Sequence, residues 1–258
     1  MSFLLLERDA STAVLTLNRP ESMNAISEAM ANEIEQTLER LAAEPDVRGV
    51  VIRGAGDKAF SAGSDLKERR GMDAEQKWTQ ARSLWRVNRK LYDFPKPTIA
   101  AIHGWCLGGA LELALYCDMR IAAENSKFGL PEMTLGAYPG SGGPIILPRI
   151  IGIAAAKQFV LFEQRVDAAR ALQIGLVHEV VPSGSEYSRS LELAARLRRI
   201  SPGGASAVKR LLTEGPLLSI DDADALNVSL RRPLEATHDY AEGIEAHYQK
   251  RAPNFIGR

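Results

Sequence analysis

A lone glutamate follows a pair of glycines inside an otherwise apolar stretch, and this combination could do chemistry. Gly108 and Gly109 begin a predicted helix, and Glu112 lies three residues after Gly109, so the two share one face. The first N–H groups of a helix have no partner within it, and glycine lets another molecule approach them. A backbone donor for a developing oxyanion and a carboxylate would then face the same space. The alternative is a tightly packed core helix in which Glu112 pairs with a buried Arg or Lys.

Other motifs that commonly carry chemistry are missing from the sequence. The segment 104–109 follows a predicted strand but lacks the spacing of a dinucleotide fingerprint, and there is no P-loop. The segment 140–142 is not a nucleophile elbow. The four histidines are scattered, no metal-ligand cluster is apparent, and His103 is better explained as a turn residue than as a catalytic base. The remaining candidates are carboxylates and backbone donors.

The composition indicates an ordinary globular protein. The chain has 258 residues, of which 45% are hydrophobic and 25% charged, and its 32 basic residues balance 32 acidic ones. A zero net charge argues against a nucleic-acid partner. Cys106 and Cys117 give no disulfide framework, which fits a reducing compartment. Without a signal peptide pattern or a membrane-length apolar run, we expect a cytoplasmic protein, or a processed matrix protein, with no membrane partner.

Strands alternate with helices, a pattern that predicts an α/β fold with mostly parallel strands. The predicted strands are 3–7, 13–17, 47–53, 98–102, 120–123 and 176–181. The predicted helices are one capped by Ser27, one carrying Trp78, Trp85 and Leu91, one over 107–115, one opening at Pro144 and one between Asp167 and Gly175. Loops are predicted at 58–66, 128–132 and 138–144. From Ser185 onward only helices are predicted, and the composition changes near Ser183.

Five segments, in this order, resemble the crotonase (enoyl-CoA hydratase/isomerase) superfamily. They are 19–25, 60–67, 103–113, 128–132 and 139–143, and the segments 168–181 and 250–255 add to the resemblance. The resemblance covers nearly the whole chain. It implies a crotonase-type spiral of repeated strand-strand-helix turns over 1–190. It also implies that 191–258 form an all-helical region for oligomerisation, as a homotrimer or a hexamer built as a dimer of trimers.

The resemblance also implies where the reacting thioester binds. The backbone N–H groups of Ser64 and Gly109 match the family's oxyanion hole, which holds the carbonyl oxygen of an acyl-CoA thioester. Removing a proton from the carbon beside that carbonyl makes an enolate, and the same enolate is consumed when this carbon takes up a proton. Losing one fixed donor to it typically costs roughly 3–4 kcal/mol of barrier. Because these donors are backbone groups, the Ser64 hydroxyl is not needed for this role.

Two glutamates match those of the enoyl-CoA hydratases within the family. By resemblance Glu112 would activate the water that attacks the β-carbon, and Glu132 would exchange the α-proton. The Gly140 N–H matches a position that helps to hold that water. Taken alone, Glu132 after Pro131 would be an ordinary exposed loop acid. A low-dielectric site should raise the pKa of at least one of the two carboxyls.

The resemblance suggests which residues hold coenzyme A. The bend 62–67 resembles the segment that contacts adenine and pantetheine through its main chain, and 24–25 resembles the neighbouring edge. The candidate CoA-binding residues are Asn24, Ala25, Lys58, Ala62, Ser64, Asp65, Leu66, Lys67, Gly109 and Lys250. Lys250 and Arg251 are candidates for the CoA phosphates, from the same or a neighbouring subunit, and solvated surface charge is the equal alternative.

The resulting hypothesis is reversible hydration of a 2-enoyl-CoA to a 3-hydroxyacyl-CoA, with no cofactor beyond the substrate's own CoA. One alternative is an enoyl-CoA isomerase, which can work with one main acid/base residue. Another is a non-catalytic member that binds RNA or joins a complex. The acyl preference stays open, because the sequence departs from common hydratase patterns at Tyr138, 143–146 and 161–163.

Overall fold

The structure is a computed structural model, and it describes residues 2–163 and 165–258. Its strands are β1 (Leu4–Asp9), β2 (Thr12–Leu17), β3 (Gly49–Gly54), β4 (Ala59–Ser61), β5 (Thr98–Ile102), β6 (Trp105–Leu107), β7 (Met119–Ala123), β8 (Lys127–Gly129), β9 (Arg165–Asp167) and β10 (Glu179–Val181).

The α-helices are α1 (Glu28–Ala43), α2 (Leu66–Arg69), α3 (Ala74–Tyr92), α4 (Gly109–Leu115), α5 (Gly143–Ile151), α6 (Ile153–Gln158), α7 (Ala168–Gln173), α8 (Glu186–Ala195), α9 (Pro202–Glu214), α10 (Ile220–Arg231) and α11 (His238–Tyr248). Short 3₁₀ turns lie at Pro20–Ser22, Pro131–Leu135, Arg196–Arg199, Gly215–Leu217 and Arg232–Ala236, and a π turn at Phe159–Glu163.

Two sheets form the centre of the fold. The six-stranded sheet has the order β1-β2-β3-β5-β7-β10, and only β1 and β2, with Leu4 opposite Leu17, run antiparallel. The four-stranded sheet has the order β4-β6-β8-β9, with β8 and β9 antiparallel. The continuous apolar runs of β2, β3 and β5 fit this arrangement, because parallel strands covered on both faces need few polar residues. The predicted α/β fold with mostly parallel strands is confirmed.

The sequence prediction was wrong at three short elements of the second sheet. The predicted loop 58–66 contains β4, the predicted loop 128–132 begins in β8 and continues as a 3₁₀ turn, and the helix predicted from Leu107 begins at Gly109. Leu107 instead pairs with Gly129 in the second sheet. Strands of three residues carry too little periodicity to be identified, and they exist because they pair with distant segments.

One layer of helices, which includes α1 and α3, packs on one face of the first sheet. Ser27 caps α1 by accepting a hydrogen bond from the Met30 N–H, as predicted, and the apolar stripe of α1 is buried. The helix α3 packs against α1. Trp78 on α3 is 61% exposed and therefore does not belong to the core.

The C-terminal region is helical, as predicted, and it covers little of its own apolar surface. The helix α8 packs on the opposite face of the first sheet through Ala194. By contrast, α9 and α10 have no buried residue, and Ile220 is 85% exposed. The final segment is joined to the core by a hydrogen bond from Arg48 Nη2 to the Phe255 carbonyl, 2.7 Å long. Among the helices in the described part of the chain, none has the length and apolar character needed to cross a membrane.

Candidate active site

Glu112 lies on the buried helix α4 and its carboxylate is held by backbone amides. Its side chain is only 1% exposed. Oε1 accepts hydrogen bonds from the Ser141 N–H at 3.0 Å and from the Gly143 N–H at 2.6 Å, so the carboxylate caps the first turn of α5. Within the described residues Glu112 makes no salt bridge, and the buried Arg120 donates instead to the carbonyls of Ala114, Cys117 and Leu176. The alternative of a structural Arg or Lys pair for Glu112 is therefore wrong.

Glu132 faces the same space from the 3₁₀ turn Pro131–Leu135. Its Oε1 points at Gly108, where an added Cβ would come within 2.8 Å of it. Its Oε2 is enclosed and has no hydrogen-bond partner within the described residues. An enclosed polar atom without a partner is uncommon in folded proteins and often marks a functional position. Glu132 is therefore not the exposed loop acid that its local sequence indicated.

Burial shifts the pKa of both carboxyls upward. For Glu112 the main cause is loss of solvation, which the Gly143 N–H opposes and the nearby charge of Glu132 reinforces, and the pKa is about 7. For Glu132 burial likewise raises the pKa above its ordinary value. Glu112 can therefore exchange protons near neutral pH, and the pKa of Glu132 is shifted in the same direction.

Two backbone amides lie close together beside these carboxyls. Gly63 has φ +90°, and a Cβ there would lie 2.6 Å from the Leu107 carbonyl oxygen and 3.1 Å from the Gly109 nitrogen. A Cβ on Gly109 would lie 2.5 Å from the Leu84 side chain and 3.6 Å from the Ser64 nitrogen. Neither the Ser64 N–H nor the Gly109 N–H donates a hydrogen bond to any residue in 2–163 or 165–258. Because residues 63 and 109 are both glycine, the unpaired N–H groups of Ser64 and Gly109 can lie close together.

The residues that carry the two carboxyls and the two amides all line one cavity of about 240 Å³. Seven predicted site residues line it: Ala62, Ser64, Leu66, Gly109, Glu112, Glu132 and Gly140. Larger surface cavities exist elsewhere, including one of about 570 Å³, but its acids Glu35, Glu39 and Asp93 are each paired with a cation. The smaller cavity is therefore the candidate active site, because it holds the acids with raised pKa values and the unpaired donors.

The remaining predicted CoA-binding residues do not line the cavity. The Asn24 side chain supports its own turn by accepting from the Arg19 N–H, and it donates to the carbonyls of Ala55 and Ala59. Asp65 caps α2 and accepts a 2.7 Å hydrogen bond from Arg19, and although burial favours its neutral form, these contacts keep the pKa of Asp65 below its usual range.

The other four predicted CoA-binding residues outside the cavity differ in their exposure to solvent. Ala25 is buried, and its carbonyl accepts from Arg19 Nη1. Lys58, Lys67 and Lys250 are exposed on the surface. Arg251 forms a surface salt bridge with Glu242 at 2.6 Å.

Residues that the sequence analysis did not identify hold the glycine turn 140–143. Asn88, fully buried on α3, donates from Nδ2 to the Ser141 carbonyl at 2.7 Å. The Tyr116 hydroxyl donates to the Gly142 carbonyl at 3.2 Å. The only available signal for Asn88 was an amide on the apolar face of α3, a face that also carries the amide of Gln80. His103 is buried 3.8 Å from Glu186, burial lowers its pKa, and it does not line the cavity, which agrees with its interpretation as a turn residue.

Of the three departures from common hydratase patterns, one borders the cavity. Tyr138 lines it, whereas Leu161 and Phe162 lie in the π turn away from it. The segment 143–146 opens α5, and its first residue supplies an amide to Glu112.

Comparison with known proteins shows similarity over the whole chain. A family model described as enoyl-CoA hydratase/isomerase matches residues 7–258. The 2,3-dehydroadipyl-CoA hydratase of Escherichia coli is 39% identical over 100% of both chains. The crotonyl-CoA hydratase of Syntrophomonas wolfei is 36% identical over 99% of this chain and 98% of its own. The crystal structure of an enoyl-CoA hydratase from Bacillus anthracis superposes with a TM-score of 0.97 at 34% identity, over 100% of both chains.

Proposed function

The chain is an enzyme of the enoyl-CoA hydratase/isomerase (crotonase) family, and we propose that its reaction is the reversible addition of water to a 2-enoyl-CoA. The match to solved structures confirms the predicted crotonase-type fold. The observation that carries the proposal is the pair Glu112 and Glu132, both with raised pKa values, on one cavity with two unpaired amides.

In the proposed reaction the thioester oxygen accepts hydrogen bonds from the N–H groups of Ser64 and Gly109. When water adds to C3, the electrons of the C2=C3 bond move through C1 onto this oxygen, and an enolate forms. Two fixed donors lower the energy of that charge without any rearrangement during the reaction. The support for this role is that both amides lack an acceptor within the described residues and belong to residues that line the same cavity as the two glutamates.

The two glutamates would divide the proton transfers. Ionised Glu112 takes a proton from the attacking water, whose oxygen bonds to C3, and protonated Glu132 donates its proton to C2 as the enolate collapses. The result is a 3-hydroxyacyl-CoA, with Glu112 protonated and Glu132 ionised, and proton exchange with solvent restores both. Gly140 would donate its N–H to the water, and the support for this role is that Gly140 lines the cavity beside Ser141.

The acyl group is the less defined part of the substrate. Relatives are named for 2,3-dehydroadipyl-CoA and for crotonyl-CoA, which are short 2-enoyl thioesters with and without a terminal carboxylate. We infer a short 2-enoyl-CoA as the substrate, and no cofactor besides the CoA that it carries. An isomerase needs only one main acid/base residue, so the presence of two such glutamates favours hydration.

The substitution Glu132→Gln tests the proposal. The amide is nearly isosteric but cannot give a proton to C2, so we expect hydration of crotonyl-CoA to fall by roughly 10²–10⁴-fold while acyl-CoA binding persists. The measurement is loss of the conjugated enoyl-thioester absorbance, with the product identified by mass and binding followed by calorimetry.

The matched control is Glu124→Gln, which changes an exposed glutamate that does not line the cavity. Near wild-type hydration by Glu132→Gln would contradict the role of Glu132. Movement of the double bond in a 3-enoyl-CoA, without uptake of water by crotonyl-CoA, would favour the isomerase instead.

A further inference from the structure

Among the described residues, Arg69 is the one cation on the wall of the active-site cavity. Arg69 is the last residue of α2 and lines the cavity together with Leu66, three residues earlier on the same helix face. Its guanidinium Nη2 lies 3.5 Å from the carbonyl oxygen of Lys77 in α3. One turn later on α3, Ala81 also lines the cavity. Arg69 on α2 and Ala81 on α3 therefore border the same cavity.

This guanidinium has no acidic partner within the described residues. Arg69 makes no salt bridge in 2–163 or 165–258, and its contact with Lys77 is long and poorly buried. The acids on the same segment are engaged elsewhere. Asp65 binds Arg19, and Glu68 accepts a 2.7 Å hydrogen bond from Gln80. In the part of the chain that the structure describes, at most one of the five N–H donors of Arg69 is used.

The other residues of the cavity wall indicate which kind of acyl group Arg69 would bind. Besides the two glutamates, the wall is built mainly from apolar side chains, including Leu66, Ala81 and Leu135. An acyl group with a purely aliphatic end would gain nothing from a guanidinium there. An acyl group with a carboxylate end would be repelled by the glutamates unless a cation offset their charge. The planar guanidinium matches a carboxylate with two parallel hydrogen bonds.

We propose that the enzyme selects 2-enoyl-CoA substrates whose acyl group ends in a carboxylate, and that Arg69 binds this carboxylate. This inference rests on the proposed hydration of an enoyl-CoA and adds the chemical class of its acyl group. Arg69 is then the specificity-determining residue, while the two glutamates act on C2 and C3.

A matched pair of substrates tests the inference. 2,3-Dehydroadipyl-CoA and trans-2-hexenoyl-CoA have the same chain length and differ in the terminal carboxylate. We expect the wild-type enzyme to have a higher kcat/KM for the dicarboxylic substrate. In Arg69→Met the ratio of the two kcat/KM values should fall by roughly 10- to 100-fold, the scale of one charge-assisted hydrogen bond. Arg69→Lys should retain part of the ratio.

Arg70→Met is the control, because Arg70 is the adjacent arginine, is exposed and does not line the cavity. Its ratio should match that of the wild-type enzyme. An unchanged ratio in Arg69→Met overturns the inference. In particular, an equal loss for both substrates would mean that Arg69 contacts the CoA part or supports the fold.

A failure of the proposed hydration would give a different result from a failure of the proposed role of Arg69. If neither substrate is hydrated, the reaction assignment is wrong. The role of Arg69 is then decided by calorimetry with adipyl-CoA and hexanoyl-CoA, which carry the same two chain ends without a double bond. Preference for adipyl-CoA that is lost in Arg69→Met supports the carboxylate site, and equal affinities refute it.

Discussion

Glu112 and Glu132 are the same residue type in different surroundings, and the difference favours different roles. The amides of Ser141 and Gly143 stabilise the ionised form of Glu112 and thus favour its action as a base. Glu132 Oε2 has no donor within the described residues, so its neutral form is favoured and it suits the donation of a proton. A pair of acids whose environments differ in this way is typical of acid/base sites.

The raised pKa of Glu112 makes a prediction about stability. Between the ordinary carboxyl pKa of 4.5 and about 7, the folded protein keeps a proton that the unfolded chain has released. The free energy of unfolding therefore falls as the pH rises through this window, and above pH 7 it is lower by about 3 kcal/mol. Glu112→Gln, which can still accept from the two amides, should raise the Tm by several degrees at about pH 8 and little at about pH 5.

Thermal melts at the two pH values measure this effect. Glu124→Gln should show no such pH-dependent gain, since Glu124 is exposed. A Glu112→Gln protein that is equally stabilised, or destabilised, at both pH values would contradict the assignment of a raised pKa.

At the scale of elements, the surroundings of Glu112, the proposed base, combine one helix with the glycine turn that opens another. Glu112 comes from α4, and its amide donors come from the turn 140–143 that opens α5. The helix α3 holds this turn through Asn88, which bonds to the Ser141 carbonyl. The orientation of the donors, and hence the pKa of Glu112, depends on a residue that does not line the cavity.

Asn88→Ala tests this positioning role. We expect the acid limb of the kcat/KM profile to lie near pH 7 in the wild-type enzyme, because Glu112 must be ionised to act as the base. Loss of the Asn88 hydrogen bond loosens the turn, weakens the amide contacts and shifts this limb to higher pH. We also expect kcat to fall roughly tenfold with little change in KM, and stability to fall by about 1–3 kcal/mol.

Ser83→Ala is the control on the same helix, since the buried Ser83 hydroxyl bonds only within α3, to the Gln80 carbonyl. Its acid limb should stay at the wild-type pH. If Asn88→Ala lost stability but kept both the wild-type limb and kcat, Asn88 would be a purely structural residue.

At the scale of the whole molecule, the exposed apolar surface of the C-terminal helices indicates a missing contact. Leu212, Ile220 and Val228 are half or more exposed on α9 and α10, in a region that buries almost nothing of its own. Large exposed apolar patches are usually covered by a partner. We therefore propose, as the resemblance implied, that 191–258 pack against neighbouring copies of the chain in a trimer or hexamer.

Light scattering coupled to size exclusion measures the assembly. The wild-type chain should have three or six times the mass of one chain, and Leu212→Glu combined with Val228→Glu should shift it toward smaller species by placing charge in the contact. Trp78→Glu is the control, because Trp78 is exposed but lies outside 191–258. A monomeric wild-type protein would contradict the proposed role of this region.

The local sequence determined the long elements and pointed to one of the two proposed acid/base residues, Glu112. The stripe of α1, the cap at Ser27 and the buried strand β5 follow from periodicity and capping, which act over a few residues. Gly109 and Glu112 were identified as sharing a face because their spacing within one helix sets it. Glu132 was identified by resemblance alone.

Tertiary structure decided what depends on segments far apart in the chain. The three-residue strands β4 and β8 exist because they pair with β6. The raised pKa of Glu112 requires burial by distant residues, and its donors come from residues 141 and 143 rather than from a neighbouring turn. Arg69 lines the cavity from α2, far along the chain from Glu112 and Glu132. No local pattern records such contacts, because their free energy comes from packing between segments and not from the preferences of either segment.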